Sequence, residues 1–346
     1  MLATIKTLTE LYGPVGREER VAAYLKERWS PRVEDLRVTP VGNVMARVGG
    51  SGPALAITAH MDEICLFVKS ITPDGFGRVT HCHRGSGSYH IRDGLGWEFE
   101  VLTHDGHLVS AVLASRTGHL RFSHSQQSAP VELEHVFLDF GLSSRQAVEE
   151  AGVTVGAPAV WKTPTRQLGE HIVGKAMDDR IGLAIMTHLL ETLKPEELQC
   201  ELYLVATVME EMGLVGAASV PSQLPQLDMC VALEIGVCGD IPTVDEDEAP
   251  VRMGQGPIIR SKDGTTHYTH AMTERLIQAA KRGGIAFQRS IAGGGTDGLE
   301  FLRAGVATGL MAPPTRYTHS PIEMVHPGDV LGCVELLRGL VTGDLS

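Results

Sequence analysis

The chain has 346 residues, 43% of them hydrophobic and 21% charged, which suits one large folded unit or two moderate ones with a sizeable core. Its formal net charge of -12 argues against a nucleic-acid partner, which would need a basic face, and against an anionic membrane surface. Six cysteines (Cys65, Cys82, Cys200, Cys230, Cys238, Cys333) are scattered without a CxxC pair, so the expected setting is a reducing cytoplasm rather than a disulfide or thiolate-zinc framework. The opening MLATIKTLTELYG is too short an apolar stretch for a signal peptide. No run approaches the ~18–20 apolar residues of a membrane span.

Leu2, Ile5, Leu8 and Leu11 have helical spacing, and Gly13-Pro14 stops that helix. REERVAAYLKERW (17–29) predicts a second amphipathic helix with acidic residues in its first turn. VGNVMARV (41–48) and PALAITAHMD (53–62) predict strands, the second apolar enough to be buried on both faces. From 66 to 168 the texture changes to Gly, Ser, Thr and His with short alternating stretches such as WEFEVL and VELEHVFLDF, which predicts a β-rich domain. The α/β rhythm then returns. Helices are predicted at 179–193, 269–284 and 330–343, and strands at 200–211 and 229–236. The expected architecture is therefore one α/β domain, residues 1–65 and 169–346, interrupted by an inserted β-rich domain, 66–168.

Acidic and imidazole residues recur where apolar strands end, the edge at which open α/β sheets bind ligands. The strand at 53–59 delivers His60 and Asp62, HIVGKAMDDR delivers Asp178 and Asp179, and the strand at 200–209 delivers Glu210 and Glu211. The strand at 229–233 delivers Glu234, and the loop TRYTHSPIE delivers His319. Two imidazoles with several carboxylates and no thiolate suit Zn²⁺, Co²⁺ or Mn²⁺. One shared carboxylate, with a His and a terminal carboxylate on each side, would hold two ions roughly 3.5–4 Å apart. Glu210 and Glu211 are adjacent at a strand end and should point to opposite sides, so one can bind metal while the other accepts a proton from water. Asp62 is placed to hold the second ring nitrogen of His60.

Each position also has a plainer reading. A histidine at a strand end is usually hydrogen-bonded structure, an EE pair a solvated turn, and a DD pair before a helix an N-cap. What outweighs these is the ensemble: ending a strand as apolar as 200–209 in two acids is costly unless something positive lies there. His81-x-His83 lacks a completing carboxylate. His267-x-x-His270 reads as a polar loop, and GGGTDG (293–298) as a tight loop near the site without the Lys-Ser/Thr of a phosphate cradle.

GPVGREE, VGNV, AHMDEI (59–64), FLDFGLSSRQAVEEAGVTVG (137–156), GKAMDDR (174–180), MEEMGLVGA (209–217), GGTDG (294–298) and RYTHSPIE (316–323) together resemble the tetrahedral (TET) glutamyl and deblocking aminopeptidases, family forty-two of the metallopeptidases. The resemblance runs nearly end to end. It implies a zinc-exopeptidase-like mixed sheet flanked by helices, with 66–168 as a β-rich dimerisation domain. It also implies two divalent metal ions per subunit: Asp178 would bridge them, Glu211 and His319 would complete one site, and His60 and Glu234 the other. Glu210 would be the general base, and Asp62 would orient His60. Short peptides would be the substrates, and dimers would assemble into a tetrahedral dodecamer.

The chain departs from the family pattern at Glu234, where Asp is usual, at Thr39, where Asp is usual, at Cys65, where Gly is usual, and across SAVLASRTGHL (110–120). Another amide hydrolase of the same clan, such as a deacylase or dipeptidase, and a non-catalytic scaffold of the same fold are the alternative readings.

Overall fold

A computed structural model describes residues 1–82, 94–117, 119 and 131–345. It divides into two compact units. One comprises Met1–Glu63, Thr165–Thr318 and Ile322–Ser346, and the other Ile64–Pro164 with the tripeptide His319–Pro321.

The first unit is built on an eight-stranded mixed sheet. Its spatial order is Asp35–Val38, Val44–Gly49, Glu201–Thr207, Ala54–His60, Met229–Leu233, Ala307–Ala312, Ile258–Lys262 and Gln288–Ile291. The four central strands, from Glu201–Thr207 to Ala307–Ala312, run parallel, so their C-terminal ends share one edge. Every residue of Ala54–His60 is buried, and alternate side chains serve different cores. Leu55 and Ile57 face a large aliphatic cluster with Leu204, Val231, Ile181 and Leu337. Ala54 and Ala56 face a smaller one with Tyr203, Val205 and Phe301. That two-residue alternation, buried on both sides, is what a continuous apolar run encodes.

Helices Leu2–Glu10, Glu19–Trp29, Met177–Thr192, His270–Arg282 and Pro327–Val341 supply the apolar stripes of the large cluster. Buried Trp29 donates its indole N–H to Thr187 Oγ1 at 3.0 Å, which ties the second helix to the third. The last helix begins earlier than its apolar spacing predicts, because Pro327 occupies the first turn and His326 Nδ1 accepts the Gly328 N–H.

A five-stranded sheet in the same unit runs Arg166–Leu168, His171–Gly174, Glu323–Val325, Pro314–Arg316, Gly236–Val237. The second unit is a closed six-stranded antiparallel barrel: Leu66–Ile71, Phe76–His81, Val136–Asp139, Leu108–Ser115, Glu98–Leu102 and Pro158–Trp161. Closure removes the free edges that an isolated small sheet would expose. His83 and part of 110–120 lie outside the described residues.

Candidate metal centre

Three of the four central strands, Glu201–Thr207, Ala54–His60 and Met229–Leu233, release site residues at or just beyond the point where the ladder stops. His60 ends its strand and is 2% exposed; Asp62 follows and is fully buried. Glu234 follows Met229–Leu233 and folds back to accept the N–H of Ile235 at 2.9 Å. Asp178 and Asp179 fall within the Met177–Thr192 span but take non-helical angles. They divide the work. Asp179 Oδ1 accepts the Gly182 N–H at 3.2 Å, a capping contact for the regular helix beyond it. Asp178 instead points toward His60 and is held by its own N–H, which donates to Glu323 Oε2 at 3.0 Å.

The strand predicted over 200–211 stops at Thr207. Beyond it, Met209 has φ 53°, a left-handed conformation that a side chain disfavours. Extended alternation therefore ends before the acids, and the expectation that Glu210 and Glu211 point to opposite sides does not hold. His60, Glu210 and Glu211 each offer a ligand atom within 4.8 Å of the others.

Two further triads meet the same spacing: His60, Asp178 and Glu234, and Asp178, Glu211 and His319. They share Asp178. His319 sits on the turn between Pro314–Arg316 and Glu323–Val325, where Tyr317 and His319 both have left-handed angles, φ 62° and 59°. Non-glycine residues in that region concentrate at functional sites, where the surroundings must hold them.

His60 Nε2 lies 3.1 Å from Asp178 Oδ1 and 4.0 Å from Glu234 Oε1. On its other side, Nδ1 is 3.1 Å from the backbone oxygen of Asp62 and 3.4 Å from Asp62 Oδ1. The Asp62 carboxylate also accepts two backbone N–H groups, those of Glu210 and Glu211, each at 3.0 Å. It thus joins the His60 segment to the Glu210 segment.

Electrostatics give the cluster its character. Burial, reinforced by neighbouring carboxylates, pushes Glu234 and Glu210 well above the usual carboxylate range. Asp297, on the GGGTDG loop, is pushed to about 6 by burial, although Thr207 Oγ1 donates to its Oδ2. Burial lowers the His60 affinity for a proton, but the hydrogen bonds to Asp178 and Asp62 overcome it and hold the ring well above its ordinary value. Nearby, Glu63 is paired with buried Lys175 at 2.5 Å and Arg180 at 3.5 Å, so that acid is compensated. Around Glu234 and Glu210 the neighbouring charges are mostly carboxylates, with His60 as the counter-charge, and burying like charges together is costly.

A divalent cation fits this arrangement. Two ligand atoms about 2.0–2.2 Å from one tetrahedral ion are roughly 3.3–3.6 Å apart, and the 3.1 Å between His60 Nε2 and Asp178 Oδ1 is close to that spacing. The donors are imidazole nitrogen and carboxylate oxygen, with no cysteine among the triads of the described residues. His267 and His270 do not join any of them.

Sequence reasoning missed Glu323. It is 2% exposed and fixes the Asp178 N–H. An acid closing the string RYTHSPIE was visible, but nothing in its spacing links it to Asp178.

The family of M42 glutamyl aminopeptidases matches residues 42–336. The structure is similar to that of an aminopeptidase from the archaeon Desulfurococcus kamchatkensis, with TM-score 0.92 and 34% identity, covering 99% of this chain and 94% of that one. It is also similar to the TET1 peptidase of Pyrococcus horikoshii, described as able to assemble into a tetrahedron or a large octahedral shell, with TM-score 0.87, 26% identity and 98% of both chains covered. The glutamyl aminopeptidase of Lactococcus lactis subsp. cremoris (strain MG1363) is 27% identical over 350 residues, covering 98% of this chain and 95% of its own. With a family match across most of its length and the same fold at this identity, the chain belongs to the M42 glutamyl aminopeptidase family and is a hydrolase of the aminopeptidase class.

Proposed function

We propose that this aminopeptidase binds two divalent cations and removes N-terminal residues from short peptides, with Glu210 as general base. The observation that carries the reading is the pair of three-donor sets sharing Asp178, with buried Glu210 beside them. Asp178 would be common to both ions, His60 and Glu234 would complete one set, and Glu211 and His319 the other. Zinc suits the donors best, and cobalt or manganese would also be accepted. When bound, the ions would polarise the scissile carbonyl and make water acidic enough to attack at neutral pH.

The chain's own residues do the rest. The Glu210 carboxylate takes one proton from the attacking water as its oxygen bonds to the carbonyl carbon. The same carboxylate returns that proton to the amide nitrogen as the C–N bond breaks, so the amine leaves neutral. Asp62 fixes the direction of Glu210 through the backbone N–H and orients His60 from its far side. The free amine of the substrate is cationic and finds its counter-charge among the carboxylates of the cluster.

Glu210→Gln tests the reading. It should keep its metal and lose most turnover of aminoacyl-nitroanilides; near-normal turnover would remove Glu210 from the role of base. Cleavage of N-acyl amino acids alone would point instead to a deacylase.

For the assembly, the resemblance of the Ile64–Pro164 barrel to the family's insert and the shells described for the P. horikoshii TET1 peptidase support dimers joined into a dodecamer. Native mass spectrometry of the purified chain reads the subunit number directly. The six buried cysteines fit a reducing cytoplasm.

A further inference from the structure

Beyond Thr207 the chain leaves the sheet, yet four successive backbone N–H groups each donate to a side chain from elsewhere. Val208 donates to Asn43 Oδ1, Met209 to Glu18 Oε1, Glu210 to Asp62 Oδ1 and Glu211 to Asp62 Oδ2, all at 3.0 Å. Asp62 belongs to the site already described. Glu18 and Asn43 do not, and they come from GPVGREE and VGNV, two strings to which the chemistry assigns no task.

Both are built to hold something. Glu18 is 5% exposed and also accepts the Gly16 N–H at 2.8 Å, so its Oε1 ties the Gly16 turn to Met209. Asn43 is fully buried. Its amide donates to Gly216 O at 2.9 Å and to Ser219 Oγ at 3.1 Å, so one side chain grips both limbs of the 208–216 loop. Thr39, where the family usually has Asp, accepts the Asn43 N–H at 3.1 Å and steadies that grip. Met209, whose own N–H is held by Glu18 and whose preceding N–H is held by Asn43, is the left-handed residue immediately before Glu210. A peptide in that conformation has no intrinsic reason to stay there, and its surroundings must impose it.

We propose that Glu18 and Asn43 are positioning residues for catalysis: they clamp the N–H groups of Met209 and Val208 and thereby aim Glu210 and Glu211. The proposal rests on the roles given above to those two acids. Neither clamp residue touches substrate. Their effect travels through the backbone, where a displacement of about 1 Å at a reacting group can cost ~10²-fold in rate.

Hydrogen exchange and kinetics test it together on the full chain. In the wild type without metal, amides 208–211 should exchange as slowly as the sheet amides of Leu204–Ala206, although they lie outside the sheet; fast exchange there would overturn the clamp without any variant. Glu18→Ala should speed exchange in a peptide spanning 205–214 by ~tenfold or more. With Zn²⁺ supplied, it should lower kcat by ~10–100-fold with KM within about twofold. Glu18→Gln keeps a carbonyl oxygen facing the same N–H groups and should restore most of both. Unchanged exchange in Glu18→Ala, or a Gln variant as impaired as Ala, would overturn the assignment. Glu210→Gln run alongside separates the two readings: retained turnover there defeats the base role, whereas the exchange result stands on its own.

Discussion

His60 Nε2 and Asp178 Oδ1 are 3.1 Å apart, a hydrogen-bond contact between two groups that would otherwise face one cation. With Nδ1 against the Asp62 backbone oxygen at 3.1 Å, both ring nitrogens face acceptors, which favours the imidazolium. A cation and that proton compete for the same lone pair. Metal binding at neutral pH should therefore release a proton, and affinity should climb as pH rises toward the elevated value of His60. Calorimetric titration of the apo-protein with Zn²⁺ in two buffers of different ionisation enthalpy measures the proton count. A zero count would mean His60 is neutral before binding. The loaded protein should also be more stable, by ~2.7 kcal/mol at a hundredfold excess over Kd.

Glu234 is the ligand candidate that departs from its family's usual residue. Its Oε1 is 4.0 Å from His60 Nε2, and burial among Asp178 and Asp179 raises its proton affinity. Glu234→Ala should weaken one of two ions by ~10–100-fold and leave the other in place. Metal analysis after dialysis should then find close to one ion per chain rather than two. Glu234→Asp should retain both ions. Full occupancy in the Ala variant would take Glu234 out of the ligand set.

Glu18 carries a pH signature as well. Burial first, and the Asp62 charge second, push it from 4.5 to about 7 in the metal-free chain. Between those values the folded chain keeps a proton that the unfolded chain has lost. Raising the pH through that window therefore weakens the fold, and above about 7 the deficit stays constant. Glu18→Gln cannot ionise, so its melting temperature relative to wild type should rise from about pH 5 to about pH 7 and then level, with chelator present. A flat difference would mean that Glu18 ionises alike in both states.

Much of this site was legible because parallel strands deliver their next residues to one edge. Once 53–59, 200–209 and 229–233 are read as apolar strands, His60, Glu210 and Glu234 must gather. What was not legible is the backbone between the strands. Nothing local in VMEE encodes the left-handed Met209, since its cause is Glu18, Asn43 and Asp62, each more than a hundred residues away in sequence. The strand therefore reads too long, and Glu210 and Glu211 are assigned opposite faces they do not have. The start of the terminal helix was hidden for a smaller reason: Pro327 begins a helix as readily as it ends one.

Arg180 tests how far the site depends on the segment beneath it. The side chain is fully buried. It donates to the backbone oxygens of Leu8 at 2.7 Å, Leu11 at 3.1 Å and Gly13 at 3.0 Å, and lies 3.5 Å from Glu63. A Cβ at Gly13 would meet Arg180 Nη2 at 2.6 Å and Val21 Cγ2 at 2.8 Å, so any side chain there must displace one of these neighbours. Arg180→Met would fill similar space but take the guanidinium away from the Leu8, Leu11 and Gly13 carbonyls, of which Gly13 keeps the Glu63 N–H, and would leave Lys175 as the cation paired with Glu63. The expected loss is about 3–5 kcal/mol, the range for breaking a buried ion pair from one side. Gly13→Ala should cost about 1–3 kcal/mol through overpacking alone. Urea denaturation of both variants orders the two effects. Because Arg180 follows the Asp178-Asp179 pair directly, Arg180→Met should also loosen metal affinity, whereas Gly13→Ala should leave it close to wild type. Equal metal affinity in both would show that Asp178 is held by the Glu323 contact without help from Arg180.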